Sequence, residues 1–580
     1  MIPSTIKPAG ARRPVIQFEN FSFKYRSQTE PTLQNIDLTI YEGEKVLIVG
    51  PSGSGKSTIG HCINGLAPFS YKGDVTGSLK ILDQETKTLD IFSLSKMVGT
   101  VLQDPDGQFI GLTVGEDIAF ALENDCRPQE NMQSIVAEVA EMVEMNDYLH
   151  ASTHQLSGGQ KQRVSLAGVM VDNVDILLFD EPVANLDPAT GKHAIALIDR
   201  IKKETDTTVV IIEHRIEDVL DCPVDRIIVL DEGRIVADMN PDEILSSSIL
   251  ENTNLREPLY VKAVKYAGVQ VTEEMKPAHL HSFQINLFKD RLMAWFEAMS
   301  PPKPKEPTVP ILELENICFG YLPGQETIRN VSFSVYKGEM MAIAGKNGAG
   351  KSTLSKLICG FEKPTSGRIL FNGKDITNDT IKERSLRIGL VMQNPNQMIS
   401  KHMIFDEVAL GLVLRGLPEA EIKERVEKTL TVCGLYPFRH WPISALSFGQ
   451  RKRVTIASIL VLEPEIIILD EPTAGQDFKH YTEIMEFLEG LNEQGITIIM
   501  ITHDMHLMLE YTPRAIVIVG GEKIADDTSV NILTNREVID KANLKETSLF
   551  ELAINAGIDE PREFVGRFIA YDKEVRIRWQ

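Results

Sequence analysis

The sequence predicts an α/β fold made twice, two parallel-sheet units in tandem, and three observations predict it. Five short motifs occur in one order and recur in that order about 290 residues later. Each copy opens on an apolar strand that runs into a glycine-rich loop. Each later carries a second apolar strand that ends in two carboxylates. A fixed-period repeat of this kind marks duplication, and strands alternating with helical segments supply the crossovers a parallel sheet needs.

The bulk numbers agree. At 580 residues the chain exceeds what one hydrophobic core organises, so two or more domains are required. No apolar run approaches the roughly 18–20 residues of a membrane-spanning helix. The opening MIPSTIKPAGARRP also lacks the apolar stretch of a signal peptide, so the cytosol is the expected compartment. The six cysteines, Cys62, Cys126, Cys222, Cys318, Cys359 and Cys433, are scattered without a C-x-x-C pair. That excludes a disulfide framework or zinc knuckle, and small buried hydrophobes are expected instead. A formal charge of −22 opposes binding to a phosphate backbone, which needs a lysine- and arginine-rich face, so no nucleic-acid partner is expected.

Residues 46–50 (VLIVG) read as a buried strand leading into GPSGSGKST and then a helix. Gly50, Ser52, Gly53 and Gly55 leave room for backbone N–H groups to wrap phosphates, and the following helix N-terminus adds positive potential. Lys56 is placed to reach the β- and γ-phosphates of a nucleotide, and Ser57, beside Thr58, to bind Mg²⁺. Residues 341–345 (MAIAG) and the loop of Gly345, Asn347, Gly348, Gly350, Lys351, Ser352 and Thr353 repeat the arrangement.

Residues 175–181 (DILLFDE) and 466–471 (IIILDE) are the strands that end in acids. Ligands of parallel α/β sheets bind at the carboxyl ends of strands, so these acids are expected to face the phosphates. Asp180 and Asp470 are expected to hold Mg²⁺, and Glu181 and Glu471 to orient and deprotonate the attacking water. Between loop and acids lie LSGGQ (from Leu156) and LSFGQ (from Leu446), whose serine and glutamine have the spacing of a helix capping box.

The order of glycine-rich loop, Gln103, LSGGQ, Asp-Glu and His214, repeated as loop, Gln393, LSFGQ, Asp-Glu and His503, resembles the ATP-binding-cassette (ABC) ATPases. The resemblance implies two P-loop NTPase cassettes, each a RecA-like α/β core with an antiparallel β subdomain and a helical signature subdomain. It also implies that the cassettes close head-to-tail within one chain. Ser157, Gly158, Gly159 and Gln160 would then cover the ATP held by Lys351, and Ser447, Gly449 and Gln450 the ATP held by Lys56. Further implied are γ-phosphate contacts from His214 and His503, and contacts of Gln103 and Gln393 with Mg²⁺ and water. Tyr25 and Tyr321 would stack on adenine, and Asp187 and Asp477 would sit in loops linking the sites.

A narrower resemblance is carried by QDPDGQFIGLTVGEDIAFALEND (from Gln103) and by IIEHRIEDV at 211–219, with Glu213 before the histidine. Both are similar to ATPases of energy-coupling factor (ECF) importers; QNPNQMISKHMIFDEVALGL in the second half is a looser match. This implies a prokaryotic ATPase at the cytoplasmic face of the membrane, working with a transmembrane coupling protein and a membrane substrate-binding protein in vitamin or metal uptake. One fused chain would replace an ATPase pair.

The repeat reaches beyond the motifs: NLRE at 254–257 returns as NLKE at 543–546. The expected domains are a tail over 1–14, a cassette with C-terminal extension over 15–269, a linker over 270–310 and a second cassette with extension over 311–580. The linker ends in the proline-rich SPPKPKEPTVP, an extended connector. Before it, Ile285, Phe288, Leu292, Trp295 and Met299 predict a short amphipathic helix packed on its own cassette. His279 and His281 are too few for a metal site. Two departures stand out: Phe448 replaces the first glycine of the second signature, and Gly475-Gln476 the usual pair before Asp477. Phenylalanine at a position suited to glycine is expected to loosen closure over the first site. The alternative function is a soluble twin-cassette ATPase associated with ribosomes. The acidic charge and the lack of a basic inter-cassette arm speak against it.

Overall fold

The computed structural model describes residues 12–103, 107–184, 186–301 and 309–579. Most of the expected tail, Asp106 and residues 302–308 of the connector lie outside these. The chain divides into two compact units, Met1–Met293 with Asp477–Lys479, and Ala294–Gln476 with His480–Gln580.

In the first unit the described strands are β1 (Pro14–Tyr25), β2 (Leu33–Tyr41), β3 (Lys45–Val49), β4 (Gly73–Ile81), β5 (Gln84–Glu85), β6 (Val98–Val101), β7 (Ile176–Asp180), β8 (Thr208–Ile212), β9 (Arg226–Asp231) and β10 (Arg234–Met239). They form two sheets. One is antiparallel, in the order β2-β1-β4-β5; the other has the order β10-β9-β3-β8-β7-β6 and is parallel except for β10. All five residues of β3 are buried, as a central parallel strand covered on both faces requires.

The second unit repeats the plan with β11 (Pro310–Phe319), β12 (Ile328–Tyr336), β13 (Met340–Ala344), β14 (Ser366–Phe371), β15 (Lys374–Asp375), β16 (Ile388–Val391), β17 (Ile466–Asp470), β18 (Thr497–Ile501), β19 (Arg514–Val519) and β20 (Glu522–Thr528). Its sheets run β12-β11-β14-β15 and β16-β17-β18-β13-β19-β20.

A helical layer is inserted between the glutamine strand and the acidic strand of each unit. In the second it comprises Ile404–Leu414, Glu419–Val432 and Phe448–Leu460 around buried Val408, Leu412, Val426, Leu430 and Val454. Burying each such side chain contributes about 1.5–3 kcal/mol. This layer and strand β16, where Gly389 lies close under Ile459, together hold the signature helix.

The stripe before the connector divides. Ile285, Phe288, Leu292 and Met299 are buried, and Phe288 packs on Phe283 at 4.8 Å between ring centroids. Trp295 lies past the boundary between the units and packs within the second. It stands edge-on to Phe564, Phe568 and Tyr571 of the helix Pro561–Trp579, an aromatic cluster inside the second unit. Of the cysteines, Cys62, Cys359 and Cys433 are buried as expected, but Cys126 is exposed and Cys222 and Cys318 are half-buried. Among the described residues no helix is long and apolar enough to cross a membrane.

Candidate nucleotide sites

Sheet order assembles each site. In the first unit β3, β8, β7 and β6 lie side by side. Their carboxyl ends therefore present, in sequence across one edge, the Gly50 loop, Glu213-His214, Asp180-Glu181 and Gln103. The second unit aligns the Gly345 loop, Thr502-His503, Asp470-Glu471 and Gln393 the same way.

The loops are built for close approach. Gly53 has φ +80° with open space around it, so backbone conformation rather than packing demands glycine there. At Gly50 packing decides, because a Cβ would lie 2.3 Å from the Leu230 carbonyl oxygen. The helices Lys56–Ile63 and Lys351–Cys359 begin after Gly55 and Gly350 with no side-chain cap, which leaves their first N–H groups available. Both lysines fold back over their own loops. Lys56 Nζ donates to the carbonyls of Gly50 (2.7 Å) and Pro51 (2.9 Å), and Lys351 Nζ to Gly345 (2.7 Å) and Lys346 (3.1 Å). Burial lowers the Lys56 ammonium below its ordinary value against the opposing charge of Glu181. An anion in the loop suits this buried cation. Ser52, Ser57 and Ser352 are exposed at the loop mouths, and Thr58 and Thr353 are buried beneath them.

The acids fit a divalent cation. Burial, reinforced by Glu181 and Glu213, pushes the Asp180 carboxyl up to about 6, and its Oδ1 is buried without a hydrogen-bond partner. In the second unit Ser352 Oγ donates to Asp470 Oδ2 at 3.2 Å, which brings two oxygens of the expected Mg²⁺ set together, and burial raises Asp470 as well.

Glu181 and Glu471 hold a conformation that the sequence did not announce, with φ +50° and +46°, the left-handed region that glutamate rarely enters. Their backbone N–H groups donate to Ile212 and Ile501, which turns each side chain out of the strand. Side-chain partners then differ. Gln103 Nε2 donates to Glu181 Oε2 at 2.6 Å, while His214 Nδ1 stays 3.7 Å from Glu181 Oε1, too long for a hydrogen bond. Burial of Glu181 is outweighed by His214 and Lys56, so its carboxyl sits below its ordinary range. In the second unit His503 Nδ1 lies 2.6 Å from Glu471 Oε1. Gln393 is exposed, and its carbonyl accepts from Lys452 Nζ at 2.8 Å.

Both signatures form the reciprocal capping box. Gln160 N donates to Ser157 Oγ at 3.3 Å and Ser157 N to Gln160 Oε1 at 2.9 Å; Ser447 and Gln450 do the same at 3.3 and 3.0 Å. The serines, Gly158 and Phe448 are exposed, while Gly159 and Gly449 are half-buried. Phe448 needs no glycine-like backbone. It is the first residue of a helix with ordinary φ, and a Cβ on the equivalent Gly158 would meet only Leu186 at 3.7 Å. The next glycine is the constrained one, since a Cβ on Gly159 would come within 2.3 Å of the Thr190 methyl.

Of the remaining expected residues, Tyr25 is half-buried, with its hydroxyl 3.1 Å from Thr58 Oγ1. Tyr321 is 51% exposed, with its hydroxyl 3.4 Å from Thr353 Oγ1 and Lys356 Nζ 5.9 Å from its ring centroid. Asp187 caps the helix Pro188–Thr205 by accepting from Thr190 N. Residue-by-residue reading missed Lys452. It is buried within the second signature helix, donates to the carbonyls of Met392 (2.9 Å) and Gln393, and is pushed down to about 8 by burial. Gln162 in the first unit instead donates to the Pro182 carbonyl.

Comparison with known proteins adds to this geometry. The ABC transporter family profile matches residues 33–184 and 328–474, and a second, described as ATP-binding cassette cobalt transporter, matches residues 247–319. A putative ABC transporter ATP-binding protein of Clostridium perfringens is 58% identical over 97% of this chain and 100% of its own length. Another of that description from Enterococcus faecalis is 58% identical over 98% and 100%. Among solved structures, cbiO1 from Clostridium perfringens, part of the ABC transporter complex cbiONQ, is 38% identical over 41% of this chain and 95% of its own, with a TM-score of 0.38.

Proposed function

The chain belongs to the ABC transporter ATP-binding proteins, and from that premise we propose that it is the ATP-hydrolysing engine of an ECF-type importer of a vitamin, metal or other micronutrient. The observation that carries the importer class is the match of residues 247–319 to the cobalt-transporter ATPase family. That stretch covers the first extension, the linker and strand β11, and lies outside both segments matched by the general ABC transporter profile.

In each site the lysine leaves its own loop carbonyls for the β- and γ-phosphates, and the uncapped helix N-terminus faces the same anion. Ser57 and Asp180, or Ser352 and Asp470, near Gln103 and Gln393, would hold Mg²⁺, which would supply charge to neutralise the phosphate oxygens. Glu181 and Glu471 orient the attacking water and accept its proton, while His214 and His503 hydrogen-bond the γ-phosphate. Ser447 and Gly449 serve the ATP of Lys56, and Ser157, Gly158 and Gly159 serve that of Lys351. Tyr25 and Tyr321 stack on adenine. Substrate choice lies in the membrane partner.

Co-expression with the membrane proteins encoded beside this chain tests the reading. The chain is expected in the membrane fraction with its partners, and their absence should leave it in the supernatant. A chain that ignores those membrane proteins and sediments with ribosomes contradicts it.

A further inference from the structure

The two catalytic carboxylates are held by different neighbours, and one residue accounts for the difference. Before the histidine the first unit has Glu213 where the second has Thr502. Glu213 is fully buried at the end of β8. Its Oε1 accepts from the backbone N–H of His214 (2.8 Å) and Arg215 (3.3 Å), and lies 3.1 Å from His214 Nδ1. The imidazole nitrogen therefore sits nearer its own sequence neighbour than Glu181, 3.1 against 3.7 Å, and the side-chain hydrogen bond to Glu181 comes from Gln103. In the second unit Thr502 has no charge to offer. Thr502 Oγ1 donates to Glu471 Oε2 at 3.4 Å and His503 N to Glu471 Oε1 at 3.2 Å, and the imidazole closes on Glu471 at 2.6 Å.

We infer that Glu213 is a positioning residue that withdraws His214 from Glu181 and so places the first site's carboxylate under the control of Gln103, whereas the second site's carboxylate is set by His503. This rests on the reading that Glu181 and Glu471 orient the attacking water. Its physical basis is geometric: two carboxylates flank one imidazole, and the backbone N–H groups of His214 and Arg215 fix Glu213 on the near side of it. The consequence is two modes of activation in one chain. The first site depends on the segment after β6, and the second is poised from within its own β17–β18 pair.

The test is a double-mutant cycle on ATP turnover by the full chain carrying Glu471→Gln, in which Glu181 is the surviving carboxylate. Losing a hydrogen bond to a charged group costs about tenfold, so Gln103→Ala should lower kcat about tenfold with Glu213 present. It should lower kcat less than about twofold when Glu213→Thr releases the histidine, with the KM for ATP little changed. Glu213→Gln, an isosteric change that keeps the buried volume, should reduce the dependence in the same direction because a neutral amide competes poorly with the Glu181 carboxylate. In the mirror experiment Thr502→Glu in the Glu181→Gln chain should make turnover newly sensitive to Gln393→Ala. Equal Gln103→Ala losses in both Glu213 backgrounds overturn the inference, as does a Glu213→Thr effect confined to KM and melting temperature. No surviving turnover in the Glu471→Gln chain, with the unaltered chain active, also overturns it. No turnover in the unaltered chain would instead remove the ATPase reading itself.

Discussion

The two nucleotide sites share a plan and differ in how they hold it. In the first, Glu181 is tied to Gln103, His214 leans on Glu213, and Gln162 of the signature helix holds the Pro182 carbonyl. In the second, Glu471 is tied to His503, and Lys452 of the signature helix holds the carbonyls of Met392 and Gln393. After duplication the sheet order was kept while side-chain partners were exchanged. The glutamine segment acts on the carboxylate in one half and is itself gripped by a signature-helix lysine in the other. Identical motifs therefore do not imply identical wiring.

The largest expected effects come from the lysines. Lys56→Ala and Lys351→Ala remove the proposed contact to the transferred phosphoryl group, and each should lower turnover at its own site by about 10²–10³. An assay in chains retaining only one catalytic glutamate reads this directly. The proposed head-to-tail pairing makes the next prediction. Ser447→Ala should act on turnover that survives through Glu181, and Ser157→Ala on turnover that survives through Glu471. The reverse assignment would break the pairing.

Motif chemistry was legible without a structure. Glycine spacing, the lysine and the acids at strand ends carry their own reasons, and the structure brings them to one sheet edge. The consequences of single differences were not legible. Glu213 read only as a family resemblance, because its effect depends on the distance between β8 and β7 and on the left-handed turn at Glu181. Lys452 carries no motif of its own, and only its burial places Nζ on two carbonyls. Phe448 looked like a lost glycine, yet helical φ and room for a Cβ make it locally acceptable. Phe448→Gly should accordingly leave the melting temperature unchanged and raise first-site turnover by no more than about threefold, less than a lost transition-state contact is worth.

A stability effect sharpens the comparison at the acids. The folded chain holds Asp180 up to about 6, above its ordinary carboxylate value. An acid raised on folding leaves stability highest below its unfolded pKa and lowers it as pH climbs through the folded pKa. In nucleotide-free chain the deficit should therefore develop between pH of about 4 and about 6, reaching at most about 3 kcal/mol above that. Asp180→Asn should raise the melting temperature at pH 7.5 and lose that advantage toward pH 4. A stabilisation independent of pH would assign the effect to packing.

The central claim, two ATP sites that are unequal because their carboxylates are held differently, meets its most direct test in steady-state ATPase of Glu181→Gln and Glu471→Gln, measured side by side in the chain assembled with its membrane partners. The account predicts that Glu471→Gln removes most of the turnover and Glu181→Gln the smaller share, since the second site has its histidine engaged on the carboxylate. Equal losses from the two substitutions would contradict it.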